Sequence, residues 1–173
     1  MLSVVARAIA PLGARYIEVQ RDRLAAAAQP LDERERSWLA RYFESTDIDR
    51  VRVLEQDPLP VSDPPLAAHA RRFGFDFPSI ALVDAITFDF VIATTRPMPP
   101  SLLFHEMVHV AQFRMLGVRE FTRQYALGFL ETRRYESIPL ERIAFELEDR
   151  FTSGETFRVD PFLFVGEPPV CVS

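Results

Sequence analysis

The chain contains no lysine and no asparagine, and all 20 basic residues among its 173 are arginine. Both missing residues use AA-starting codons, so a GC-rich genome accounts for the bias and no function is attached to the arginine excess. Cysteine is almost absent. Cys171 stands alone, which excludes an internal disulfide and a cysteine-based zinc site. A reducing, cytoplasmic setting is the expectation that follows. Long apolar runs are missing as well. No window of about 18 uninterrupted apolar residues occurs, so no transmembrane segment is expected. Met1 to Arg7 does not read as a signal peptide, because Arg7 and Arg15 interrupt the apolar stretch and no charged region precedes it. There is no long basic run, and the net charge is -5, so nucleic acid is not expected as a partner.

What is present is apolar mass. Hydrophobic residues make up 48% of the chain, with 15 Phe against 4 Tyr and 1 Trp. A chain of this length and content buries a real core as one domain. The expected fold class is α+β, mainly helical with a small antiparallel sheet. A helical N-terminal part covers 1–75, a sheet edge with two site-bearing helices covers 76–151, and a tail over 152–173 wraps the surface. Within the first part, residues 3–28 read as one kinked helix or two, with Pro11-Leu12-Gly13 as the break. Asp32, with Glu35 three residues on, forms a capping-box pattern for a helix through Phe43. Val51 to Leu54 alternates as a short strand, and Pro65 to Phe73 reads as a short helix ended by Gly74.

Ser79 to Thr95 reads as two β-branched strands joined near Asp84-Ala85. Arg96-Pro97-Met98-Pro99-Pro100 stops the second and opens a helix, with Pro100 in its first turn. That helix runs to Leu116 and ends at Gly117. It is apolar on most sides, which implies burial. A second helix covers Val118 to Tyr135, and a third runs from Pro139 to Phe151.

Two of the three histidines lie in the first of these helices, at His105-Glu106-Met107-Val108-His109. Four residues apart, the imidazoles leave one helix face close enough to share a metal. Zinc takes His nitrogen in tetrahedral sites, and Glu106 on the flank is placed to accept a proton from an activated water. Two His and a Glu in so apolar a helix are costly without a partner, and one zinc ion satisfies them together. The bland alternative is a pair of hydrogen-bonded core histidines. His69, alone in its segment, reads as a surface residue. A third ligand must come from the downstream acids Glu131, Glu136, Glu141, Glu146, Glu148 and Asp149, most of which serve as solvated charges or partners for nearby arginines. Gln112, on the histidine stripe, is a candidate to orient a ligand. Tyr135 and Tyr125 are candidates to donate to a developing oxyanion, with packing as the plainer role.

Residues 85–151 resemble a group of small bacterial proteins of the HExxH zinc-metallopeptidase-like type, with a gluzincin arrangement. The resemblance rests on Ala85-Ile86-Thr87, on Phe104 to Phe113 around the motif, on Gly117, on Phe121 and Tyr125, and on Tyr135-Glu136-Ser137-Ile138-Pro139-Leu140-Glu141-Arg142-Ile143-Ala144. The last block is similar to a family pattern of Tyr, Asn-Pro-hydrophobic-Glu and a second Glu. Here Ile138 stands for the Asn and Ile143 for the second Glu. The resemblance implies a zincin-like domain in which Glu141, the glutamate that remains, is the third ligand, with Glu146 and then Glu136 as alternatives. It also implies a zinc-dependent hydrolase acting on a peptide or protein, with Glu106 as general base. The competing expectation is a non-catalytic, zinc-stabilised protein-binding domain.

Overall fold

A computed structural model describes residues 1–64, 72, 83–160 and 164. The helix expected from Pro65 to Phe73, apart from Arg72, and the strand expected at Ile80 to Val83, apart from Val83, lie outside the described residues, as do His69 and Cys171. Helix α1 covers Leu2–Ala25 and runs through Pro11, where a break was expected. Its small inward residues Ala6, Ala10 and Ala14 let it lie close along the longest helix of the fold.

Strand β1 (Gln29–Pro30) leads into α2 (Glu33–Leu39). The capping box forms as expected. The Glu35 amide donates to the Asp32 carboxylate at 2.7 Å, and the Asp32 amide donates to the Glu35 carboxylate at 2.9 Å. The helix stops at Leu39 and does not reach Phe43. Tyr42 and Phe43 are adjacent, so a helix would splay them about 100° apart. A turn instead brings both rings onto Phe104, at centroid distances of 5.4 and 5.1 Å. Helix α3 (Ser45–Arg50) follows and is tied to the central helix by Arg114 donating to Asp47 at 2.6 Å.

The sheet has the order β1-β2-β4-β3, with β2 at Arg52–Glu55, β3 at Ala85–Phe88 and β4 at Val91–Thr94. It is mixed, not antiparallel as expected, because β2 and β4 pair in parallel. A parallel pair needs a long crossover, and residues 56–90 between the two strands supply the length. The hairpin turns at Asp89-Phe90, not at Asp84-Ala85. Asp89 adopts a left-handed φ of 58°, which a short polar residue tolerates. Its carboxylate is held by Arg21 at 3.0 Å and Arg50 at 3.1 Å.

Helix α4 covers Pro100–Thr132 and is broken at Gly117, where φ is 73° and ψ is 157°. It is therefore two arms, 100–116 and 118–132, divided where the glycine signal placed the end. Every residue from Leu103 to Phe113 is buried. Phe104, Met107, Val108 and Ala111 join the main core with Ile92 of β4, while Phe113 stacks on Phe121 of the second arm at 3.7 Å. The second arm ends at Thr132, and a 3-10 turn at Tyr135–Ser137 leads into α5 (Pro139–Thr152). Gly128 makes that return possible. A Cβ there would lie 2.6 Å from Pro139 Cδ, so only glycine lets α5 start so close to the second arm. The described part of the tail returns to the core, where Val159 and Phe164 are buried. Among the described residues, no helix is long and apolar enough to cross a membrane.

Gly117→Ala isolates the cost of the break. A Cβ at this position meets nothing within 4 Å, so the penalty is backbone strain alone, about 1–3 kcal/mol for a conformation open essentially to glycine. Urea unfolding is expected to show a lower midpoint of that size with an unchanged slope; a midpoint equal to wild type refutes the strain.

Candidate metal centre

The first arm of α4 aims His105 and His109 at α5, which presents Glu141 in its first turn. The three are buried and converge. His105 Nε2 lies 3.2 Å from His109 Nε2, and Glu141 Oε2 lies 3.4 and 3.3 Å from the two nitrogens. The third position expected at Glu141 is therefore met in space. The alternatives are not: Glu146 is exposed beside Arg142 at 3.6 Å, and Glu136 is exposed on the 3-10 turn. Glu146 is five residues past Glu141 and leaves α5 on another side. Glu131 and Asp149 are also exposed.

The outer hydrogen bonds decide what the inner atoms carry. His105 Nδ1 lies 3.1 Å from Glu148 Oε2, and a carboxylate accepts. Gln112 is fully buried, and its amide nitrogen donates to the Leu140 carbonyl at 2.9 Å. That fixes the amide, so Gln112 Oε1 faces His109 Nδ1 at 2.8 Å as an acceptor. Both Nδ1 atoms therefore hold the proton in the neutral rings, and both Nε2 atoms present lone pairs. Tyr125 donates to Glu141 Oε1 at 2.8 Å, which leaves Oε2, a buried oxygen with no hydrogen-bond partner.

Three lone pairs thus face one another across 3.2–3.4 Å in a buried site. That arrangement is repulsive unless a cation sits among them. A tetrahedral ion bonded at about 2.0–2.1 Å requires ligand–ligand edges of about 3.3–3.4 Å. The buried group His105, His109 and Glu141 therefore has a spacing that could hold a metal ion.

Protons occupy the gap when a metal does not. Burial opposes a charged His105, yet hydrogen bonds to Glu141 and Glu148 and the charge of Glu106 raise it to about 10. Burial likewise opposes a charged His109, and Glu141 raises it. Burial favours the neutral acid at Glu141, but the two imidazoles hold its carboxyl well below the usual range. Burial pushes Tyr125 and Tyr135 upward, and the Glu141 charge adds to both, so the two phenols remain donors.

Glu106 is buried on the flank of the stripe, and Thr87 of β3 donates to its Oε2 at 2.6 Å. Gln112 and Tyr135, singled out from the sequence, both face the site. Glu148 was weighed only as a source of the third ligand, and Thr87 was given no role of its own. Glu148 carried a signal, being seven residues past Glu141 and so on the same helix face. Thr87 stood only within the Ala85-Ile86-Thr87 part of the resemblance, because the seating of the sheet on α4 is not written in either segment. Comparison with protein-family models, with curated proteins and with solved structures gives no match.

Glu148→Gln keeps an acceptor but removes the carboxylate charge beside His105. Titration with Zn2+ or Co2+ is expected to show binding weakened about 10- to 100-fold, with Glu146→Gln unchanged. Equal effects of the two substitutions would remove Glu148 from the site.

Proposed function

We propose that the chain is a zinc-dependent hydrolase, with peptides or proteins as substrate class. The observation that carries this reading is the lone-pair triangle of His105, His109 and Glu141 with an acid, Glu106, beside it. Two imidazoles and one carboxylate, with edges suited to tetrahedral bonding, match the donor set of catalytic zinc. When bound there, zinc supplies Lewis acidity that polarises a carbonyl and brings the pKa of water toward about 7.

The chain's own residues perform the remaining tasks. Thr87 engages Glu106 Oε2 and leaves Oε1 to take the proton of the attacking water. The same carboxyl then returns the proton to the leaving amine. Gln112 and Glu148 fix the imidazole tautomers. Tyr135, kept protonated by burial, is a donor for charge developing on the carbonyl oxygen. A zincin-like fold is part of this reading, supported by the sheet edge β3 lying beside the motif helix.

One observation favours a second reading. His105, His109 and Glu141 are each at most 6% exposed, as in a closed structural site that clamps α5 to α4. Glu106→Gln separates the two. In a hydrolase it retains about one equivalent of zinc and lowers turnover of a cleaved peptide about 10²- to 10⁴-fold, whereas His109→Ala loses the metal. Undiminished turnover in Glu106→Gln removes the general base.

The pH dependence has a definite sign. His105 in the metal-free fold is raised to about 10, above its unfolded value of about 6.5. It stabilises the metal-free fold below about pH 6.5, and that contribution fades as pH rises toward 10. Zinc needs the neutral imidazole, so its stabilisation runs the other way. The rise in Tm on adding zinc is expected to be larger at pH 8 than at pH 6, with protons released in calorimetry. A rise independent of pH contradicts this linkage.

A further inference from the structure

Of the large apolar side chains exposed among the described residues, all but Phe145 belong to α1 or its N-cap: Met1, Leu2, Val4, Val5, Leu12 and Val19. The helix is inverted by size. Along its first half the side chains it buries are the alanines Ala6, Ala10 and Ala14, while the bulkier valines and leucines stand in solvent. At about 100° per residue, Val4, Val5, Ala8, Leu12, Arg15 and Val19 share one sector of about 100°, and the three alanines occupy the opposite side. Val4 is 69% exposed, Leu12 56%, and Val5 and Val19 42% each. A surface helix that serves only its own fold carries polar residues on that side. An apolar stripe left exposed there marks an interaction surface.

The charges around the stripe say what covers it. From Leu2 to Ile17 the helix has no acid, and its charged side chains are Arg7 and Arg15, both exposed. Arg15 lies inside the stripe. Arg7 lies on its flank, where its charge reaches Glu120, an acid already paired with Arg123 at 2.5 Å. The first acid of the helix, Glu18, lies off the stripe, and Asp22 beyond it is held by Arg21 at 2.8 Å. In a chain of net charge -5, this face is therefore apolar and basic. A second copy packed along the stripe would bury Arg15 with no acid of the stripe to meet it, which is costly. An anionic bilayer supplies the missing partner. Arginine stems lie in the apolar boundary while the guanidinium groups reach the lipid phosphates. Among the described residues no helix is long and apolar enough to cross a membrane, so α1 would lie along the surface.

We propose that the outer face of α1 is a docking surface for an anionic lipid bilayer, with Val4, Val5, Leu12 and Val19 at the boundary of headgroups and acyl chains and Arg7 and Arg15 on lipid phosphates. Ala6, Ala10 and Ala14 stay packed along α4, so the helix docks without leaving the fold. The inference is independent of the metal centre and stands or falls without it.

The test mixes the full-length chain with vesicles of phosphatidylcholine, alone or with phosphatidylglycerol added, and measures binding by co-sedimentation at low and high salt. Binding to the anionic vesicles is expected to exceed binding to the neutral ones about tenfold or more, and to weaken as salt screens the arginines. Arg7→Gln combined with Arg15→Gln is expected to lower it about 20-fold, near fivefold for each arginine at an anionic surface. Val5→Gln combined with Leu12→Gln is expected to lower it about tenfold or more. Thermal unfolding of that variant is expected to match wild type, because both side chains face away from the core. Leu12→Trp keeps the face apolar and guards against a misfolded Gln variant. It is expected to bind at least as well as wild type, with emission shifted to the blue on anionic vesicles. No vesicle binding by wild type, equal binding to neutral and anionic vesicles, unchanged binding in both double variants, or no blue shift in Leu12→Trp overturns the proposal. A wild-type dimer in sedimentation velocity that the Val5→Gln, Leu12→Gln variant turns into monomer, with vesicle binding absent, assigns the face to a second copy and overturns it as well.

Discussion

The fixed tautomers of His105 and His109 are the constraint on which the centre depends. An imidazole with a free Nδ1 can turn its proton inward, and a pair of such rings settles into an ordinary hydrogen bond. Here the outer nitrogens are engaged by Glu148 and Gln112, and Gln112 cannot flip without losing its donation to Leu140. With Tyr125 on the other oxygen of Glu141, the three inner atoms face one another, and protons or a cation must fill the gap between them. Several residues on three segments spend their hydrogen bonds on facing this one gap, and that is poor design for a core and good design for a cation.

The rest of the fold serves the distance between the first arm of α4 and α5. The break at Gly117 folds the second arm back, and Gly128 lets the start of α5 touch it. Ile138 and Leu140, both buried with Phe113, Phe121 and Phe129, pin the first turn of α5 on either side of Pro139. Glu141 follows at once, so its position is set by apolar packing before any metal binds. Further along, Ala144 and Leu147 pack into the main core and hold the remainder of α5. The polar triangle is thus enclosed by two hydrophobic clusters, and its cost falls on burial that those clusters already stabilise.

What the sequence made legible is what depends on residues near one another in the chain. The motif helix, its end at Gly117, the capping box at Asp32 and the start of α5 at Pro139 all follow from local rules, and each is present. Glu141 was reached through a resemblance to a family pattern, and the structure places its Oε2 3.4 and 3.3 Å from the two imidazole nitrogens. Glu148 was within reach of the same helical arithmetic, but the acids were weighed as ligands to a metal and not as acceptors for an Nδ1 proton. The parallel pairing of β2 with β4 and the hydrogen bond from Thr87 to Glu106 were out of reach. Both depend on how separate segments register in space, and a four-residue strand carries no mark of its neighbour. The early end of α2 belongs with these, because Tyr42 and Phe43 leave the helix to meet Phe104, about sixty residues away.

Burial alone does not choose between a catalytic and a structural centre, but the distribution of polar partners does bear on the choice. A structural site gains nothing from a buried carboxylate that binds no metal. Glu106 is such a group: it lies outside the triangle, is 5% exposed, and its carboxylate accepts from Thr87 on a strand of the neighbouring sheet. Burying a carboxylate there carries a desolvation cost, whereas an apolar residue of the same size would be favourable, and most of its neighbours on the helix are apolar. Among the described residues, the strand that meets it is the last of the sheet. Glu106 is thus a buried acid satisfied by Thr87 and placed beside, not within, the His105-His109-Glu141 group, which is the placement the proposed general base requires.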